Sequence, residues 1–288
     1  MKVARTTAEL ERTPRAVALG TFDGVHLGHR RVIEAALAAG PRPTVVTFDP
    51  HPRTALGNLV ELVSTLERRL ELIAELGVPE TLVVAFDLEL ARLSPEEFAA
   101  RVLGEIGAEV AVAGRDFRFG RGRSGDLDVL AGLGFDTRPV PLVEGVSSSL
   151  IRRLVRGGEL ERAAKLLGRP VEVEGTVVAG NQRGGTLGFP TANLATEPGL
   201  VAPPYGIYAG AVGGTRAAVS IGTNPHYGGQ ERRIEAFLLD FAADLYGKRL
   251  VLELWERLRD EAVFESEQAL VEQIGRDVER TRAAVRPA

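Results

Sequence analysis

The chain has 288 residues, 44% of them hydrophobic and 26% charged, with a formal net charge of −4 and a pI near 5.8. That length holds one large domain or two ordinary ones around a proper core. The acidic balance argues against broad electrostatic capture of nucleic acid or anionic membrane. The absence of cysteine excludes disulfides, thiolate catalysis and cysteine-ligated zinc, and it is compatible with a cytoplasmic location. The first residues, "MKVARTTAELERTPR", contain no apolar signal core, and no apolar run elsewhere is long enough to span a bilayer.

The first half alternates short β-type runs with helical patterns. "AVALG" (16–20) predicts a strand and "RRVIEAALAAG" (30–40) a helix ended by Gly40. "PTVVTF" (43–48), a helix over 65–76, and "ETLVVAF" (80–86) follow. "SPEEFAARVLGEIG" (94–107) opens with Ser94 as N-cap, Pro95 at the first helical position and Glu97 at the third. "AEVAVAG" (108–114) and "DTRPVPLV" (136–143) complete the strands. Strands alternating with helices predict a parallel sheet in a doubly wound α/β domain.

Residues 148–168 read as helical with a break at Gly157–Gly158, and the pattern then changes. Strand-type runs separated by turn residues take over: "VEVEGTVVAG", "GIYAGAVGG", "TRAAVSIG", "RRIEAFLLDF" and "KRLVLELWERL". They predict an antiparallel β-barrel, followed by a terminal helix over 266–285 with Leu270, Ile274 and Val278 at four-residue spacing. The division falls at 168, giving an N-terminal domain (1–168) and a C-terminal domain (169–288).

"GTFDGVHLGHR" (20–30) carries two of the four histidines beside three glycines, directly after an apolar run. Gly20 and Gly24 let the backbone turn closely around a bound group, and the following helix aims free N–H groups at the same space. His26 and His29 are three apart and share a face on one helical turn. Two imidazoles over a helix N-terminus suit phosphate oxygens and a phosphorus centre under attack; they also suit plain capping or surface roles. No Gly-Lys-Ser/Thr occurs, so the stretch is not a Walker A loop. A literal GxGxxG at 120–125 lacks a preceding buried strand and reads as a basic loop near polyphosphate rather than a dinucleotide fingerprint.

In the second half, "GNQRGGTLGFPTANL" (180–194) combines glycines with Thr191 and Asn193. Their hard oxygens suit Mg²⁺ and their alternation places both on one face of an extended segment, although a polar turn with Asn capping the backbone fits the spacing as well.

"GTFDGVHLGHR" resembles the HxGH signature of nucleotidyltransferases, in the form found in bacterial bifunctional riboflavin kinase/FMN adenylyltransferases. "TFDPHP" (47–52), "LSPEEF" (93–98), "AGRDFRFGRGRSGD" (113–126) and "VSSSLIRRLVRGGELERAAKLLGRP" (146–170) match that family in order. So do "GFPTANL", "GIYAG", "SIGTNP", "RRIEAFLLDFAADLYGKRL" and "LRDEAVFESEQALVEQIGRDV" in the second half. The resemblance implies that His26 and His29 contact ATP phosphates, while Gly20, Phe22, Asp23 and Gly24 shape the adenine-nucleotide loop. It implies that Ser147, Ser148 and Arg152 hold the triphosphate and the leaving pyrophosphate, and that His51, Asp116 and Phe117 line the flavin side. On residues alone, the prolines around His51 also fit a turn, and Phe117 a packing aromatic.

For the second half, the resemblance implies a riboflavin kinase domain. There Gly185, Thr186, Gly188, Phe189 and Pro190 contact ATP, Thr191 and Asn193 hold Mg²⁺, and Glu235 is the base for the riboflavin 5′-hydroxyl. Ser149, Gly185, Ser220, His226 and Phe237 depart from the family's usual residues; none is a proposed metal ligand or the base. The implied function is phosphorylation of riboflavin to FMN and adenylylation of FMN to FAD in the cytoplasm. Its reactants and products are riboflavin, FMN, FAD, ATP, ADP and pyrophosphate, with Mg²⁺ as cofactor and neither nucleic acid nor membrane as partner. Two rivals share parts of this pattern: an HxGH enzyme with another acceptor, such as nicotinate mononucleotide or phosphopantetheine, and a binding protein without turnover.

Overall fold

A computed structural model describes residues 1–180, 187–223 and 232–287. The chain forms two compact units, Met1–Ser148 and Ser149–Ala288. In the first, six strands build one parallel sheet: β1 (Lys2–Ala4), β2 (Arg15–Leu19), β3 (Thr44–Asp49), β4 (Glu80–Ala85), β5 (Ala108–Gly114) and β6 (Asp136–Val140), in the order β1-β4-β3-β2-β5-β6. The order reverses between β2 and β5, and the crevice beyond the carboxyl ends of such strands is where open α/β sheets bind ligands.

Period-two alternation sorts the strand side chains. Ala16 and Ala18 of β2 face one layer of core with Val45, Val110 and Val112. Helices α1 (Leu27–Ala39) and α3 (Leu66–Glu75) cover that layer with Val32, Ile33, Leu72 and Ile73. Val17 and Leu19 face the opposite layer, closed by α4 (Pro95–Phe98) and α5 (Leu127–Gly132). A one-turn helix, α2 (Pro52–Ala55), follows β3. Ser94 and Glu97 form the expected capping box, but beyond Phe98 the helix widens into a π-turn over Ala99–Gly104.

The second unit starts with two helices, α6 (Ser148–Arg156, its first residue shared with the boundary) and α7 (Leu160–Leu167), separated at Gly157–Gly158 as the glycine pair predicts. The pattern change near 168 marks where strands begin; α7 itself packs on strands β7 and β12 of the barrel. That barrel is closed and antiparallel, as predicted: β7 (Val171–Val178), β8 (Ala192–Ala195), β9 (Gly206–Val212), β10 (Thr215–Thr223), β11 (Arg232–Leu238) and β12 (Arg249–Arg259) run in the order β10-β11-β8-β7-β12-β9. Ile234, Ala236 and Leu238 of β11 are buried, which turns Arg233, Glu235 and Phe237 to the other face. Helix α8 (Glu267–Ala283) packs on β9 and β10. Asp277, 3% exposed, pins it by accepting from Arg259 Nε and Nη2 at 2.9 and 2.8 Å.

Candidate functional site

The loop leaving β2 is built by backbone geometry. Phe22 and Val25 hold positive φ angles of 51° and 39°, unusual for bulky or β-branched residues, and Gly24 sits at 76°. A Cβ on Gly24 would meet Val63 Cγ1 at 2.6 Å, and one on Gly20 would meet the Phe22 ring at 2.9 Å. Asp23 stakes the loop from below: its Oδ1 accepts from the backbone N–H of Val63 (2.9 Å) and Ser64 (3.3 Å), while Gly24 N–H donates to Ser64 Oγ at 3.1 Å. From the far end of the unit, Ser148 Oγ donates to the Asp23 carbonyl at 3.1 Å.

His26 caps α1. Its Nδ1 accepts from His29 N–H at 3.2 Å, which puts the proton of the neutral ring on Nε2. The two imidazoles stack at 3.5 Å between centroids and 14° between planes, with Phe22 edge-on to His29 at 5.3 Å. Part of the His29 surface is open, yet its Nδ1 is buried without a hydrogen-bond partner. Burial, and next the neighbouring His26 and Arg69, push the His29 pKa well below the ordinary 6.5. His29 therefore presents a neutral ring with an unsatisfied buried nitrogen at pH 7, stacked on His26 over the N-terminus of a thirteen-residue helix.

Two of the other expected positions around this sheet, His51 and Phe117, have visible structural duties. His51, 7% exposed, caps α2 by accepting from Arg53 N–H at 3.2 Å. Phe117 packs on the core and lies 5.8 Å from Phe119, while Asp116 beside it is exposed. Ser147 is exposed immediately before α6, and Arg152 lies one turn along that helix. The glycine-arginine stretch after Phe119 is a tight turn, closed by a bridge between Phe119 and Gly125 and packed against Pro95 at Gly120; the helix after it, α5, is six residues long and capped by Asp126.

Arg69 is a residue that motif reading missed. It is 1% exposed, donates from Nη1 to the Phe48 carbonyl at 3.0 Å, and has no partner at Nε or Nη2. Burial lowers its pKa, against the opposing charges of Asp23 and Asp49. The signal lay in the sequence: Arg69 occupies the buried stripe of α3 with Leu72 and Ile73, at three- and four-residue spacing.

On the barrel, register does what loop strain does in the first unit. Asn193 of β8 stands directly opposite Glu235 of β11, and Ser220 of β10 is opposite Glu235 on its other side. Thr191 comes just before β8. Gly180 makes room for Asn193, since a Cβ there would collide with the Asn193 amide. Arg233, two residues before Glu235 and so on its face, is a second missed residue. It pairs with the Glu235 carboxylate and donates to Asn193 Oδ1 from Nε (3.3 Å) and Nη2 (3.2 Å). Phe189 meets Phe237 edge-on at 5.4 Å, giving one of the departing residues a partner; Gly188 holds φ 86° and Pro190 is exposed. Gly185, Thr186 and His226 lie outside the described residues.

No cluster of three or more His, Cys, Asp or Glu suited to a metal occurs among the described residues. The Thr191 hydroxyl and Asn193 amide oxygen are hard donors of the right chemistry for Mg²⁺, but two neutral oxygens leave most of an octahedron unfilled. The set fits a metal delivered on nucleotide phosphates, with Gly180 keeping the Asn193 cradle open.

Residues 8–148 match the FAD synthetase family and residues 167–285 the riboflavin kinase family, which defines a two-part flavin-cofactor class. The bifunctional riboflavin kinase/FMN adenylyltransferase of Listeria monocytogenes is 36% identical, covering 96% of this chain and 95% of the relative. That of Escherichia coli K12 is 35% identical over 96% of each. A crystal structure described as a macrolide-efflux protein from Streptococcus pneumoniae superposes with a TM-score of 0.84 at 31% identity, covering 97% of this chain and 98% of that one. Among the described residues here, no helix is long and apolar enough to cross a membrane. The chain belongs to the bifunctional riboflavin kinase/FMN adenylyltransferase family.

Proposed function

We propose that this chain makes both flavin cofactors in the cytoplasm: its C-terminal domain (169–288) phosphorylates riboflavin, and its N-terminal domain (1–168) adenylylates the FMN produced. Each half uses ATP with Mg²⁺, one releasing ADP and the other pyrophosphate. The observation that carries this reading is the pairing of Asn193 with Glu235 across β8 and β11, on the same chain as the histidine-capped helix α1.

In the first domain, an FMN phosphate oxygen attacks the α-phosphorus of ATP and the pyrophosphate bond breaks; no protein nucleophile takes part. His26 and His29 donate to phosphate oxygens as charge develops, with α1's N-terminus adding its dipole. Gly20, Phe22, Asp23 and Gly24 hold the nucleotide loop in one shape, and Ser147, Ser148 and Arg152 bind the departing polyphosphate. His51, Asp116 and Phe117 bound the flavin. Most of the rate then comes from alignment and charge stabilisation.

In the second domain, Glu235 takes the proton of the 5′-hydroxyl as that oxygen attacks the γ-phosphorus. Gly185, Thr186, Gly188, Phe189 and Pro190 line the nucleotide, and Thr191 and Asn193 hold Mg²⁺, which supplies neutralisation of phosphate charge when bound. The test is to incubate purified protein with riboflavin, ATP and Mg²⁺ and to follow flavins by chromatography. FMN appears first, then FAD with pyrophosphate. Tight flavin binding without product would leave a binding protein instead, and adenylyl transfer only to a non-flavin acceptor would leave a different HxGH enzyme.

A further inference from the structure

The described charges on the β8–β11 face contain a conflict. A base needs its carboxylate available to the substrate hydroxyl, and a metal ligand needs its oxygen available to the metal. One guanidinium, that of Arg233, engages both: it pairs with Glu235 and donates twice to Asn193 Oδ1. It is not a buried structural cation, since the Arg233 side chain is 31% exposed and that of Glu235 22%. Arginine's long stem lets the head leave along an open surface.

We propose that Arg233 is a tethered counter-cation that competes with the metal for Asn193 Oδ1, so that the metal-nucleotide must displace it. This rests on the reading that Asn193 and Glu235 serve riboflavin phosphorylation. A divalent ion on Asn193 Oδ1 and a guanidinium on the same oxygen are two cations at one acceptor, so their binding is mutually exclusive or strongly antagonistic. The guanidinium neutralises the Glu235 carboxylate, which faces Asn193 across the ladder. Arg233 is thus a positioning residue whose removal eases metal entry.

Arg233→Ser tests this in the full-length protein. The half-saturating metal concentration should fall roughly 3–10-fold, the size of about one ordinary net hydrogen bond. It is read in two ways: Mg²⁺ dependence of FMN formation, and Mn²⁺ binding with ADP by electron paramagnetic resonance. Saturating turnover should change only about two-fold, because the displaced residue is absent from the transition state. FMN adenylylation in the same preparation should be unaltered and reports folding. In an Asn193→Ala background, Arg233→Ser should no longer tighten metal binding, as a double-mutant cycle requires for action through Asn193. Unchanged or weakened metal binding in Arg233→Ser overturns the proposal; so does an equal gain with Asn193→Ala, which would make the effect one of general charge. If the wild-type chain forms no FMN, the kinase reading fails, while the Mn²⁺ measurement still decides whether Arg233 and metal compete.

Discussion

The two proposed sites, the loop after β2 and the β8–β11 face, are built by opposite routes. The first is a buried, strained backbone: positive φ at Phe22, Gly24 and Val25, an aspartate clamped to Val63 and Ser64, and a histidine spent on capping its own helix. Its shape is fixed by contacts within the chain. The second is a row of half-exposed side chains on regular strands, set by register and held by one movable arginine. Transfer to FMN, which needs only alignment and charge stabilisation, is suited to the rigid site. Phosphorylation of a hydroxyl, which needs a base to be released at the right moment, is suited to the adjustable one.

That contrast breaks first at Glu235. Glu235→Gln keeps shape and removes the proposed base, so riboflavin phosphorylation should fall about 10²–10⁴-fold with little change in substrate affinity. FAD formation from added FMN should be untouched. A rate within a few-fold of wild type would free Glu235 of the role.

Next come His26→Ala and His29→Ala, which should each lower FAD formation about 10²–10³-fold, as removal of one preorganised donor does. FMN formation is the control, and its parallel loss would mean misfolding.

Gly180→Ala sharpens the comparison by perturbing only the cradle of Asn193. Displacing that amide should raise the KM for Mg²⁺-ATP in the kinase reaction roughly tenfold, about one hydrogen bond to a charged group, while turnover moves less. Kinetics that match wild type would show that Asn193 tolerates the added methyl and that its placement is loose.

The smallest effect is on stability. His29 is held below its ordinary pKa, whereas an unfolded histidine titrates near 6.5. Below about pH 6.5 the unfolded chain therefore takes up a proton that the native site refuses, and stability is lost as pH falls towards the folded value. The urea midpoint of the first unit's transition should drop between pH 7 and 5, and His29→Gln should flatten that drop. A midpoint falling equally in both proteins would place the proton elsewhere.

Much of this was legible beforehand, because alternation and spacing are local. Short β-type runs marked ten of the twelve described strands, and the Gly157–Gly158 break fell between α6 and α7. What escaped was what depends on distant partners. Lys2–Ala4 is too short to read as a strand and exists because β4 pairs with it. Ala192–Ala195 has poor β-formers and is held between β7 and β11. The histidines stood out by composition, but the clamp from Asp23 spans 40 residues of sequence and leaves no pattern. Arg69 and Arg233 were readable by helical stripe and strand alternation, yet a charge on a motif's margin draws no notice until its partners are seen.

The most direct test of two independent sites is complementation. A chain carrying His29→Ala should convert riboflavin to FMN and stop; a chain carrying Glu235→Gln should make FAD only when FMN is supplied. Mixed in one vessel with riboflavin, ATP and Mg²⁺, the two variants should restore FAD synthesis through FMN released by one and captured by the other. A mixture that yields no FAD, although each variant keeps its single activity, would contradict two sites exchanging free FMN.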